Sequence, residues 1–239
     1  MTITFDAENH KYFNEFGEEY ISVTTFLGLF KKPFETEKHA ARVAARKETT
    51  PEAIKALWKT LTVDAQDKGK GFHSAMENYI KFGEVDPGYE ELIKSLNRAG
   101  EGFKCKQKKA ESLLWHDDSR IAGTADLILE NDTDFVVMDF KTNKKFRFSN
   151  DFDEKLLDPL SFLDYSEYSI YTLQLSLYAY MKEAATGKHC KSMKVLYLTT
   201  NTFTGSKFWK EIPVIYCKDT IEKLIQIRKT TLLQDANPR

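Results

Sequence analysis

Apolar and polar residues alternate along residues 2–20, interrupted at Asp6-Ala7-Glu8-Asn9 and Asn14-Glu15-Phe16-Gly17, which predicts short antiparallel strands. The pattern then changes to a short apolar helix before Phe30, with Ser22 as its N-cap. Residues 35–66 are helical in composition, with a break near Thr49-Thr50-Pro51. Phe72, Ala75, Met76, Tyr79 and Ile80 form one helical stripe, and residues 89–106 predict a further helix. A strand over 110–115 leads into two β-rich runs, 121–130 and 135–141, joined by the polar tetrad Asn131-Asp132-Thr133-Asp134, the signature of a hairpin. Residues 150–167, with Asp151, Asp153, Glu154, Asp158 and Asp164, are acidic and irregular, either a surface loop or a mobile lid. A helix over 168–185 ends at Gly187, strands over 193–199 and 208–216 flank a turn at 202–206, and a helix over 219–233 closes the chain. This order predicts an α/β (α+β) fold, a mixed central sheet flanked by helices, in one domain spanning 1–239.

The hairpin register poses an electrostatic question. If Glu130 pairs with Phe135, facing residues sum to 265, and Asp126 stands opposite Asp139 with Lys141 two residues further along the same face. Two carboxylates about 5 Å apart repel by about 3 kcal/mol at an effective dielectric of about 20. A plain hairpin avoids that. A divalent cation between the two reverses the sign, and Mg²⁺ binds through one or two carboxylates, waters and substrate phosphates. The alternative is a solvated acidic edge with Lys141 as its counter-ion.

Composition narrows the classes. At 239 residues, 41% hydrophobic and 30% charged, the chain reads as a folded protein without a membrane-spanning run. Its N-terminus lacks the basic start and apolar core of a signal peptide, which predicts a cytoplasmic location. Cys105, Cys190 and Cys217 are far apart, and three thiols do not make a four-thiolate cluster, so no iron–sulfur cofactor is expected. A net charge of −1 provides no global basic field for nucleic acid, yet Lys38, Arg42 and Arg46 recur every four residues, either as a solvated face or as the wall of a strand channel. Lys104, Lys106, Lys108 and Lys109 form a second basic cluster. Ser22, Thr24 and Thr25 either cap the short helix or contact a phosphate. His73 and Glu77 share one helix flank, as do Gln174 and Tyr178.

Four segments in order, Gly71-Phe72-His73 with Glu77, Gly123-Thr124-Ala125-Asp126, Asp139-Phe140-Lys141-Thr142 and Gln174-Leu175-Ser176-Leu177-Tyr178, resemble the PD-(D/E)XK nucleases of the RecB-like exonuclease branch. The upstream Tyr20-Ile21-Ser22-Val23-Thr24 is similar to a segment of the exonucleases related to mitochondrial genome maintenance and their phage-encoded relatives, extending the likeness to roughly residues 20–180. The resemblance implies a restriction-endonuclease-like core at about 71–217, with an N-terminal elaboration of strands and helices over 1–66. It implies Mg²⁺ or Mn²⁺ held by His73, Asp126, Asp139 and the Phe140 carbonyl. Lys141 would position or deprotonate the attacking water, and Gln174 and Tyr178 would orient that lysine and the substrate backbone. Ser22, Thr24, Arg42, Arg46, Glu77 and Thr142 are candidate substrate contacts. The implied partner is DNA, single-stranded or with free ends, in a bacterial cell or a phage-infected host. Asp139 departs from the glutamate found at its position in many members. A sequence- or structure-selective endonuclease on the same core, and a DNA-binding module without chemistry, are the competing readings.

Overall fold

Local chemistry sets the element boundaries in the computed structural model, which describes residues 2–150, 153–200 and 205–236. Strands β1 (Ile3–Asp6), β2 (Lys11–Asn14) and β3 (Glu19–Ser22) form an antiparallel meander. Its turns are closed by Asp6, whose Oδ1 accepts the Glu8 and Asn9 amides, and by Asn14, whose Oδ1 accepts those of Phe16 and Glu18. Ser22 caps α1 (Val23–Gly28), its Oγ accepting the Thr25 amide at 3.0 Å. Helix α2 (Thr36–Arg46) ends before the predicted break, and Thr50 with Pro51 starts the 32-residue α3 (Pro51–Phe82), which Gly83 ends in the left-handed conformation.

Helix α4 (Glu90–Ala99) stops well short of the predicted 106. Gly100 follows its last residue, Gly102 takes φ 89°, and the Lys106 amide turns to the Glu130 carbonyl at 2.9 Å. Strands β4 (Gln107–His116), β5 (Ile121–Glu130) and β6 (Asp134–Lys141) then run in succession. Helix α5 (Glu167–Thr186), strands β7 (His189–Thr200) and β8 (Lys207–Val214), and helix α6 (Lys218–Ala236) complete the chain. The turn expected over 202–206 and the acidic Asp151 fall largely or wholly outside the described residues. The rest of the irregular segment is a packed loop. Leu156 and Leu160 are buried in the core, and the Leu157 amide donates to the Phe30 carbonyl at 2.8 Å.

The fold is a mixed α/β arrangement, with eight strands flanked by six helices among the described residues. Strand order is β1-β2-β3-β5-β6-β7-β8, with β4 pairing β5 on its other edge. Strand β4 pairs with β5 along its length, so β3 and β6 must share the opposite edge: β3 in parallel at Ile121 and Ala122, β6 antiparallel from Leu127 to Glu130. The stretch 123–126 lies between those two pairings. One core fills the space between the sheet and α1, α5 and α6, built on Phe26, Leu173, Leu177 and Ile221; another joins the sheet to α3 and α4 through Phe72, Met76, Leu92 and Leu96. Among the described residues no helix is long and apolar enough to cross a membrane.

Candidate metal centre

Strand β5 changes face at the centre of the molecule. Ile121 and Ala125 belong to the same core as Ile128, while Leu127 and Leu129 belong to the other, so the two-residue alternation reverses between Ala125 and Leu127. The neighbouring β4 breaks at the same level. Its ladder with β5 passes from Ala110–Leu127 to Ser112–Ala125 without a Glu111–Asp126 pair, and Glu111 has φ 47°. A non-glycine residue in the left-handed region is sparsely populated and strained. On the other side, the β5–β6 register sums to 265 as expected, but its ladder ends at Leu127–Met138. The next amide, that of Phe140, donates to Asp126 Oδ2 at 2.6 Å. A side-chain carboxylate here takes the place of a strand partner.

These breaks bring three ligand-bearing groups together. His73 Nδ1 lies 3.5 Å from Asp126 Oδ1 and 4.0 Å from Glu111 Oε1, and one ligand atom from each residue falls within 4.8 Å of the others. His73 comes from α3, whose Phe72 and Met76 anchor the turn in the core, and its ring meets that of Phe140 edge-on at 5.9 Å. Burial, with the charge of Asp126, pushes the Glu111 carboxyl up to about 7. Burial pulls the His73 imidazole down, but the contact and charge of Asp126 outweigh it and raise it above the usual histidine value. Crowded carboxylates beside an imidazole are a donor set that suits Mg²⁺ through oxygen and Mn²⁺ through both oxygen and nitrogen.

Asp139 is buried at 1% exposure and stands outside that trio. Burial and the charge of Asp126 raise its carboxyl. Its Oδ2 is paired with the Lys141 ammonium, and its Oδ1 accepts the Gln174 amide at 3.2 Å. Burial would lower Lys141, but Asp139 and Asp126 raise it, so it stays charged. Gln174 also donates to the Tyr178 hydroxyl at 3.2 Å, and burial raises that phenol well above its ordinary value. Gln174 therefore meets Lys141 through Asp139, the carboxylate that pairs with the ammonium. The aromatic face on Lys141 is that of Tyr171, with the ammonium 4.7 Å from the ring centroid. Gly123 leaves the room for this packing, since a Cβ there would lie 2.8 Å from Tyr178 Cε1 and 3.0 Å from Val23 Cγ2.

The candidate substrate residues divide by position. Thr142 lies against the α3 turn before His73, its Oγ1 3.6 Å from where a Cβ on Gly69 would be. Glu77 is on the same helix one turn after His73 and pairs with Lys81 at 2.5 Å. Ser22 is buried with its hydroxyl engaged by the Thr25 amide and the Thr24 and Thr25 hydroxyls, the capping role of the two expected for it. Arg42 and Arg46 are exposed on α2, which packs through Ala40 and Ala44 against Ile54 at the start of α3. The 19 residues from Ile54 to His73 span about 28 Å of helix, so this stripe is not beside His73.

Sequence reasoning missed Glu111 and Tyr171. The first has a legible signal: Asp117-Asp118-Ser119-Arg120 is a polar tetrad like 131–134, and pairing His116 with Ile121 across it places Glu111 level with Asp126. The second has only helical spacing, Tyr171 lying one turn before Gln174.

No protein-family model matches the chain, and no curated protein matches it. Among solved structures, the crystal structure of SSO0001 aligns over 88% of this chain and 75% of its own, at 14% identity and a TM-score of 0.38. A likeness this faint carries no argument about function.

Proposed function

We propose that the chain is a metal-dependent nuclease of the PD-(D/E)XK kind that hydrolyses DNA, an exonuclease preferring single strands or free ends. The observation that supports it best is the convergence of His73, Glu111 and Asp126 beside a buried Asp139–Lys141 pair. Three carboxylates and an imidazole, His73, Glu111, Asp126 and Asp139, drawn from three strands and a helix at a level where the β4–β5 and β5–β6 ladders break, are costly to maintain without a cation. His73, Glu111 and Asp126 would hold the ion, with Asp139 and the Phe140 carbonyl completing the set. A bound Mg²⁺ or Mn²⁺ would supply Lewis acidity at a phosphoryl oxygen and a water of lowered pKa.

The chain's own groups do the rest. Lys141, kept as an ammonium, places positive charge where charge develops on the phosphate and donates a hydrogen bond to the attacking water. Gln174 fixes the Asp139 carboxylate by its amide, and Tyr178 fixes Gln174. The Asp126 bond to the Phe140 amide ties the two strands together at the point where the carboxylate is presented.

The test is a time course on 5′- and 3′-labelled single- and double-stranded DNA with Mg²⁺, Mn²⁺ or EDTA. Cleavage is expected with either metal and not with EDTA. Asp126→Ala and Lys141→Ala are expected to lower the rate by at least about a hundredfold, the scale of lost electrostatic stabilisation. Undiminished cleavage in EDTA overturns the metal assignment. Efficient cutting of closed circular strands turns the reading to an endonuclease, and binding without cleavage under any metal turns it to a DNA-binding module.

A further inference from the structure

Lys141 needs more than a counter-ion to be useful. Paired only with Asp139, its ammonium could swing about that carboxylate on a flexible four-carbon stem. The structure places a flat surface against it. The ring of Tyr171 lies beneath the ammonium at 4.7 Å, and the Tyr171 hydroxyl donates to Asn143 Oδ1 at 3.3 Å, two residues after Lys141. Phe146 packs against the same ring with centroids 5.7 Å apart, so the face is held by its own chain neighbours on the β6–α5 connection. Tyr171, Gln174 and Tyr178 lie on successive turns of α5. Each holds a different member of the group: the ammonium, the carboxylate beside it, and the amide that holds the carboxylate.

We propose that Tyr171 is the positioning residue for Lys141, its ring face holding the ammonium in place while leaving N–H donors free for water and phosphate. This rests on the nuclease reading for its kinetic consequence, but the contact itself does not. An aromatic face attracts a cation through its quadrupole without accepting a directional hydrogen bond, so it restrains the ammonium and spares its donors. A carboxylate or amide in the same place would consume one.

The experiment compares Tyr171→Phe, Tyr171→Leu and Tyr171→Met in the full chain. Leu and Met both remove the π face, so a folding defect in one does not decide the result. Steady-state cleavage of labelled single-stranded DNA is expected to show kcat reduced roughly tenfold in Leu and Met with KM little changed, and Phe within about twofold of wild type. In NMR spectra of lysine-labelled protein, assigned with Lys141→Ala, the Lys141 Cε protons are expected upfield in wild type and Phe, and at ordinary positions in Leu and Met. Equal loss in Phe and Leu overturns the proposal by assigning the effect to the hydroxyl on Asn143. A rise in KM at constant kcat, or unshifted Cε protons in wild type, also overturns it. A wild type that does not cleave under either metal overturns the nuclease reading alone, and the Cε shift then decides whether Tyr171 holds Lys141.

Discussion

Two single positions show how closely the centre is fitted. Gly123 has no side chain because Tyr178 and Val23 fill the space a Cβ would need. Gly123→Ala is expected to cost about 1–3 kcal/mol in urea unfolding, the usual scale of overpacking, and to displace Tyr178 from Gln174. Glu130, at the far end of β5, is a different case. Its carboxylate meets Lys109 and Lys182 at 2.7 Å and Lys188 at 3.5 Å. Burial alone would raise it, but Lys109 and Lys182 bring it down from 4.5 to about 2. The unfolded chain therefore binds the proton more readily than the folded one between those values, and folding is favoured as pH rises through them. That contribution is fully present above pH 4.5 and lost as pH falls toward 2. Glu130→Gln is expected to be less stable than wild type at pH 7, and the gap is expected to close on acidification through that window. A gap that stays constant would remove Glu130 from the acid response.

At the scale of elements, most helices and the β5–β6 hairpin were readable because each carries its own local signal. Ser22, the Thr50-Pro51 break and Gly187 sit at helix ends, and the 131–134 tetrad fixes the register that aligns Leu127 with Met138. Contacts made over long sequence separations were not readable. The pairing of Ile21 with Ile121 links residues a hundred apart, and nothing in either strand names its partner. The helix predicted through 106 failed because the chain obeys a tertiary demand there, the pairing of Lys106 with Glu130, after two glycines. Of the candidate site, His73, Asp126, Asp139 and Lys141 were legible as a group, whereas Tyr171 was hidden in an apolar helix where aromatic residues are ordinary core. The α2–α3 pair offers an element-level test. With Arg42 and Arg46 about 28 Å along α3 from His73, and nucleic acid rising about 3.4 Å per nucleotide, a strand needs about eight nucleotides to reach both. Arg42→Glu with Arg46→Glu is expected to weaken binding and flatten its salt dependence for longer strands only. Equal weakening for strands of four nucleotides would remove α2 from the substrate path.

Over the whole molecule, the cores on the two faces of the sheet surround a level at which paired strands separate and like charges gather. A cation held there, as the proposed function requires, would bind the folded chain and not the unfolded one. At a hundredfold excess over its dissociation constant it is expected to add about 2.7 kcal/mol, or roughly 5–10 °C in the thermal midpoint for a chain of this size. Glu111→Gln is expected to abolish most of that gain, and a midpoint indifferent to Mn²⁺ in wild type would remove the trio as a cation site. The left-handed backbone of Glu111 then has a consequence for laboratory evolution. Asparagine tolerates that conformation better than glutamate, so Glu111→Asn is expected to raise the metal-free midpoint while shortening the reach of the carboxylate's replacement toward His73. Selection for heat resistance alone and selection for cation binding therefore pull position 111 in opposite directions. A library screened only by heating is expected to lose the centre there first, with the rest of the fold intact.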